Sequence, residues 1–301
     1  MLRYPVRALR LGRSGRVALA VGAVALAGCT TTTRPAPPPP VSHQTPYLWL
    51  SSTRIPTATT PLAAMVINPT SAPTGIYGVA GTFERWTGRS WAPAGTWRSS
   101  MDQWGGFGSV GAPHGNAVLT IGLSAAAHGT GAVEYFETPR LAPGWYRVGH
   151  QIGPNQAAFG TFEVSPAFAA PAPVENPVDG RLVANPVLLQ AGGGVVHLAV
   201  FPAAHRVQSY DEVKAFAHAM DPTVRFERWE GSAWAPYTTL SVEAPVPPRG
   251  TPEDLHIAVP AVPAGAYRIV WHSPSAGDLH RVIWISGDAD GLTPAGSIGY
   301  P

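Results

Sequence analysis

The sequence predicts an all-β chain of two tandem antiparallel β-sandwiches, with a short helical insertion in the second. Three observations predict it. Only 13% of the 301 residues are charged while Gly and Pro contribute 33 each, which disfavours long solvated helices and suits short strands joined by tight turns. Hydrophobic content is an ordinary 45%, so a core can still be buried. Finally, Phe83–Pro93 (FERWTGRSWAP) returns as Phe226–Pro236 (FERWEGSAWAP), identical at eight of eleven positions at an offset of 143. A second motif follows in the same order in both halves, Pro143–Val148 (PGWYRV) and Ala264–Ile269 (AGAYRI), at an offset of 121.

Residues 1–28 read as a signal peptide. Arg3, Arg7, Arg10, Arg13 and Arg16 precede an uninterrupted small-apolar run, Val17–Ala27, and no acidic residue occurs before Glu84. Eleven helical residues at about 1.5 Å each cover roughly half the hydrocarbon thickness, too little to span it. The run closes in Leu26-Ala27-Gly28-Cys29, and Cys29 is the only cysteine, so no internal disulfide can form. This segment resembles the bacterial lipobox. The resemblance implies cleavage before Cys29, addition of diacylglycerol to its thiol, and a stable anchor of two or more acyl chains such as palmitate. The plainer alternative is an ordinary cleaved signal with Cys29 as a passenger. Thr30 stands where Asp would retain a lipoprotein at the inner membrane, which favours the outer membrane if the host has two.

Residues 29–46 are expected to be a tether. Thr30–Thr33 and Pro37–Pro40 bury nothing, and consecutive prolines favour a stiff polyproline II rod of about 3.1 Å per residue. A spacer role suffices for it, and a binding role for the proline run stands beside that reading. The first sandwich is expected over 47–166, with strands at 47–51, 62–68, 76–86, 91–97, 117–123, 132–137, 144–150 and 158–165. Residues 167–180, beginning AFAAPAPV, form a linker. The second sandwich spans 181–286, with strands at 181–190, 194–201, 223–229, 234–242, 254–259, 266–272 and 280–286, and 287–301 is a loose tail.

Within the first motif, Thr87–Ser90 separate two strand segments, so Trp86 and Trp91 close the loop as an opposed pair. Trp229 and Trp234 do the same. Glu84 and Arg85 point to opposite faces, and the pattern leaves open whether the Phe83 or the Trp86 face is buried. In the second motif, alternation puts Tyr146, Val148 and His150 on the core face, as it does Tyr267, Ile269 and Trp271, with Arg147 and Arg268 outward. His150 fills the slot of Trp271 and is therefore expected to pack. Ser209–Glu212 forms a capping box, and Val213, Phe216, Ala217 and Met220 follow at helical spacing before Asp221-Pro222. This helix covers one end of the second sandwich or, as a livelier alternative, binds a partner.

About seven short strands per unit suggest sandwiches of immunoglobulin-like type. The Glu-Arg-Trp hairpin followed by Gly-x-Tyr-Arg and a closing strand resembles the bacterial immunoglobulin-like modules appended to secreted and surface proteins. The first copy also resembles the carboxy-terminal sandwich domain of neutral ceramidases, through Trp97, Trp104 and the run Gly144-Trp145-Tyr146-Arg147-Val148-Gly149-His150. The second copy departs from that pattern at Trp271. The resemblance marks a scaffold, and the catalytic part of ceramidases has no counterpart in this chain, so no activity is carried over.

Motifs for catalysis are incomplete. Gly106–Gly111 has Phe107 where a nucleophile elbow needs its first Gly, there is no His-Glu-x-x-His, and Asp288-Ala289-Asp290-Gly291 reaches Gly299 where a calcium loop needs Glu. Beyond the leader, 15 basic residues face 18 acidic ones, which argues against a nucleic-acid partner. The expectation is a non-enzyme without cofactor or metal. It would be an extracytoplasmic lipoprotein of the bacterial cell envelope, held to the membrane through Cys29, with a binding or structural role toward an envelope protein or polysaccharide. Trp97, Trp104 and Phe107 form the candidate ligand-contact loop. A carbohydrate-binding envelope lipoprotein is the first alternative. A hydrolase at the module interface, using Glu212, Asp211, His205 and His218, is the second.

Overall fold

Short apolar runs punctuated by Gly, Pro, Ser and Asn become strands almost throughout. The computed structural model describes residues 36–72, 74–76, 80–98, 123–125, 129–174, 182–202, 210–243 and 255–287. The first half contains β1 (Tyr47–Leu50), β2 (Arg54–Ile55), β3 (Thr60–Asn68), β4 (Thr74–Ile76), β5 (Ala80–Trp86), β6 (Trp91–Arg98), β7 (Leu123–Ala125), β8 (Gly129–Thr138), β9 (Gly144–Gly153) and β10 (Gln156–Val164). The second contains β11 (Leu182–Asn185), β12 (Leu188–Gln190), β13 (Gly194–Val200), α1 (Tyr210–His218), β14 (Thr223–Trp229), β15 (Trp234–Glu243), β16 (Leu255–Val259), β17 (Gly265–Ser273) and β18 (Gly277–Ser286).

In the first half, one sheet has the order β1-β3-β8, another β2-β10-β9-β5-β6, and β4 pairs with β7. In the second half a single eight-stranded sheet runs β11-β13-β16-β15-β14-β17-β18-β12. Its two ends repeat the first half strand for strand. β15 pairs along β14 and then, through Val242 and Glu243, reaches β16, which joins what the first half keeps as separate sheets.

The duplication extends to register. Phe83 faces Val148, Glu84 faces Arg147 and Arg85 faces Tyr146, just as Phe226 faces Ile269, Glu227 faces Arg268 and Arg228 faces Tyr267. A bulge interrupts the hairpin between Phe83 and Glu84, and again between Phe226 and Glu227. Gly144 and Gly265 open the Tyr-Arg strands with φ of 148° and 155°, a backbone region that side chains rarely adopt, which explains the glycine in that motif.

The sheets are not wholly antiparallel, contrary to the sequence expectation. β2 pairs with β10, and β12 with β18, in parallel. In each half a short second segment thus lies at the sheet edge beside the last strand of that half. This also splits the strand expected at 181–190 into β11 and β12 around Pro186, which has no N–H to give a ladder. The segment expected as one strand at 76–86 has β5 at its end and overlaps β4 only at Ile76, while residues 117–122 lie outside the described residues.

Two apolar clusters result. One packs the β1-β3-β8 sheet onto the five-stranded sheet through Leu48, Leu62, Val66, Phe83, Phe136, Val148 and Phe162. The other fills the second half around Val196, Leu198, Phe226, Ile257, Tyr267 and Trp271, and it also takes Tyr47, Ala63, Met65, Ile67 and Tyr135 from the opposite face of the first sheet. The halves thus share a core. Trp49 meets Trp284 edge-on at 5.7 Å, and the buried Arg281 donates to the Tyr135 hydroxyl at 2.8 Å.

Helix α1 forms over the residues that the apolar spacing indicates. Phe216 and Met220 are buried in the second core, and Trp271 Nε1 donates to the Asp221 carbonyl at 2.7 Å, pinning the helix exit. Ser209 of the expected capping box lies outside the described residues. No helix among them is long and apolar enough to cross a membrane.

Candidate interaction faces

The turn of each aromatic hairpin is closed by a backbone hydrogen bond, Thr87 to Ser90 at 2.9 Å and Glu230 to Ala233 at 3.0 Å. Trp86 then lies opposite Trp91 and Trp229 opposite Trp234, each pair with ring centroids 5.2 Å apart. Phe83 and Phe226 are buried, so the Trp86 and Trp229 faces are the outer ones. The register of the neighbouring strand decides this, because Phe83 lies beside Val148 and Phe226 beside Ile269, on the established core face.

On that outer face the two sequence motifs meet. Glu84 accepts a hydrogen bond from Arg147 Nε, and Glu227 accepts one from Arg268 Nε at 2.9 Å. Each guanidinium also lies against the hairpin's second tryptophan, Arg147 at 4.8 Å from Trp91 and Arg268 at 4.9 Å from Trp234, and Arg147 adds Phe159 at 3.9 Å. Cation–π contacts of this kind contribute about 0.5–1 kcal/mol when exposed. The ladder Glu–Arg–Trp is therefore a duplicated feature that neither motif reveals alone. Its signal in the sequence is that both motifs recur together and in the same order.

The second copy extends its ladder. Arg225 reaches Asp278 at 2.7 Å and Glu227 at 3.6 Å, while His272 Nδ1 lies 2.9 Å from Asp278. The hydrogen bond from Arg225, and then that with His272, holds the Asp278 carboxyl below the usual carboxylate range, and Asp278 raises Arg225 in turn. On the core side, burial pushes the Tyr146 and Tyr267 phenols up. Their hydroxyls donate to the carbonyls of Ala142 at 3.0 Å and Pro263 at 2.8 Å. The outer faces thus present indole edges beside neutralised ion pairs. Such surfaces suit recognition of a partner by stacking and hydrogen bonding.

Trp97, expected on a ligand-contact loop, is a core residue only 3% exposed. It packs on Phe136 and His150 and donates from Nε1 to the Gly149 carbonyl at 3.2 Å. Gly81 allows this, because a Cβ there would overlap both the Gly149 oxygen and the Trp97 indole. Trp104 and Phe107, and Cys29 as well, lie outside the described residues. His150 is fully buried, as its match to Trp271 predicts. Asp211, Glu212 and His218 are exposed on α1, and His205 lies outside the described residues. Among the described residues no group of three or more His, Cys, Asp or Glu could hold a metal ion.

No family model and no curated protein matches the chain. Among solved structures it is similar to the human OSCAR ligand-binding domain at 16% identity, covering 80% of this chain and 98% of that one, with a TM-score of 0.19. It is also similar to invasin, a bacterial integrin-binding protein, at 9% identity and a TM-score of 0.21, covering 80% of this chain and 39% of that one. At such scores the fold rests on the strand pairings themselves.

Proposed function

We propose that this chain is a lipid-anchored protein of the bacterial cell envelope, built from two immunoglobulin-like sandwiches, that binds or spaces other molecules without catalysis. The observation that carries the binding role is the duplicated outer face, where the Glu84–Arg147–Trp91 ladder recurs as Glu227–Arg268–Trp234. The immunoglobulin-like assignment is supported by the repeated strand order with a parallel edge strand, and by tyrosines that donate to a carbonyl four residues upstream. The lipobox-like Leu26–Cys29 after a basic and apolar leader supports the anchor, with the outer membrane favoured where there are two.

The preferred partner is another envelope protein. A polysaccharide is the second reading, favoured by the half-buried indoles of Trp86, Trp91, Trp229 and Trp234, whose exposed parts offer apolar surface to sugar rings. Cys29→Ala tests the anchor. The variant should move from the detergent phase to the aqueous phase on partition of cell extracts, and an unchanged detergent-phase fraction would overturn the lipid attachment.

A further inference from the structure

The proline run does not project as a free spacer where the structure describes it. Trp86 Nε1 donates to the Ala36 carbonyl at 2.9 Å. From there Pro38–Val41 form one wall of a groove of about 380 Å³, faced by Tyr47 and Trp49 of β1, Trp145 of β9 and Thr161 of β10. Pro38 and Val41 are half-buried, whereas Ala36, Pro37, Pro39 and Pro40 are exposed. A spacing of three is the period of a polyproline II helix, so residues 38 and 41 share the face turned to the protein. Val41 packs on the shared core as well.

This is the chemistry by which extended proline-rich segments are recognised. Aromatic faces receive the pyrrolidine ridges, and an indole N–H reaches a backbone carbonyl that a polyproline II helix leaves without an internal partner. A run of four prolines is already stiff, so docking it costs little further chain entropy.

We propose that the groove lined by Tyr47, Trp49 and Trp145, together with Trp86 where residue 36 is held, is a binding site for polyproline II segments. The chain's own residues 36–41, held at Trp86 and forming one wall of that groove, are a strap that a second proline-rich segment can displace. The site does not depend on acylation of Cys29.

The test uses the full chain in detergent, with Pro37–Pro40 replaced by Gly-Ser-Gly-Ser, and a synthetic peptide of residues 34–43 as probe. Tryptophan fluorescence should show saturable binding to this variant and binding about tenfold or more weaker to the unaltered chain, whose own strap competes at high effective concentration. Adding Trp86→Phe should weaken the peptide about fivefold, the equivalent of one hydrogen bond. Absence of saturable binding by a folded variant, equal binding of a Gly-Ser peptide, or indifference to Trp86→Phe would each overturn the site. If the replacement unfolds the chain, hydrogen exchange at residues 41–45 of the otherwise unaltered protein decides. Trp86→Phe should accelerate exchange there while the strands stay protected, and unchanged exchange would refute the strap.

Discussion

Three positions show how single residues distinguish the two copies. Gly81, Trp97 and His150 in the first correspond to Val224, Leu240 and Trp271 in the second, and in both copies the buried indole donates to a backbone carbonyl. The large ring enters from β6 in one copy and from β17 in the other, with a smaller neighbour making room for it. Gly81→Val should therefore cost roughly 3 kcal/mol in urea unfolding, at the upper end for overpacked cores. Trp97→Leu on the same chain should recover part of that loss. A Gly81→Val chain as stable as the parent would show that the approach of β9 and Trp97 is looser than described. The sequence exposes the His150–Trp271 exchange through the shared Tyr-Arg motif. It does not expose Trp97, because an aromatic residue beside a Gly-rich stretch reads equally well as an exposed loop anchor or as a core plug.

At the scale of elements, the hairpins and the Tyr-Arg strands are held together by side chains as well as ladders. Glu84 and Arg147 are each about a quarter exposed at the side chain, so solvent screens their attraction only in part. A double-mutant cycle with Glu84→Gln and Arg147→Met should give a coupling of about 1 kcal/mol, with Arg147→Met the costlier single change because the guanidinium also covers Trp91 and Phe159. Additive losses in denaturant unfolding would remove the ladder as a stabilising unit. The opposed tryptophan pairs, the core face of the second motif and helix α1 were all readable from spacing. The buried face of the hairpin was not, since Phe83 and Trp86 are equally apolar and only the register with β9 separates them.

For the whole molecule, the decisive surface is the second face of the β1-β3-β8 sheet. Every residue of β3 from Leu62 to Asn68 is buried, as is every residue of β18 from Arg281 to Ser286. Strands with both faces covered read as continuous apolar runs instead of alternating ones. Leu62–Ile67 (LAAMVI) and Val282–Ile285 (VIWI) carry that signature in the sequence. A fragment ending at residue 174 would expose Tyr47, Ala63, Met65, Ile67 and Tyr135 together. It should self-associate or bind a hydrophobic dye in light-scattering and fluorescence assays, whereas the full chain should not. A monomeric, dye-silent fragment would show that the shared core is dispensable for the first half.

The sequence by itself determined the duplication, the hairpins and their tryptophan pairs, the inward face of the Tyr-Arg strands and helix α1. These follow from repeats and from periods of two and 3.6 residues, which are local. Tertiary structure decided that Trp97 is interior, that Glu84 meets Arg147, that the two halves share a core and that the proline run forms one wall of a groove lined by Tyr47, Trp49 and Trp145. Each of these depends on what covers a face, and the covering residues come from 50 to 235 positions away along the chain. A periodic pattern states that a face is apolar. Only the folded chain brings the partner that buries it.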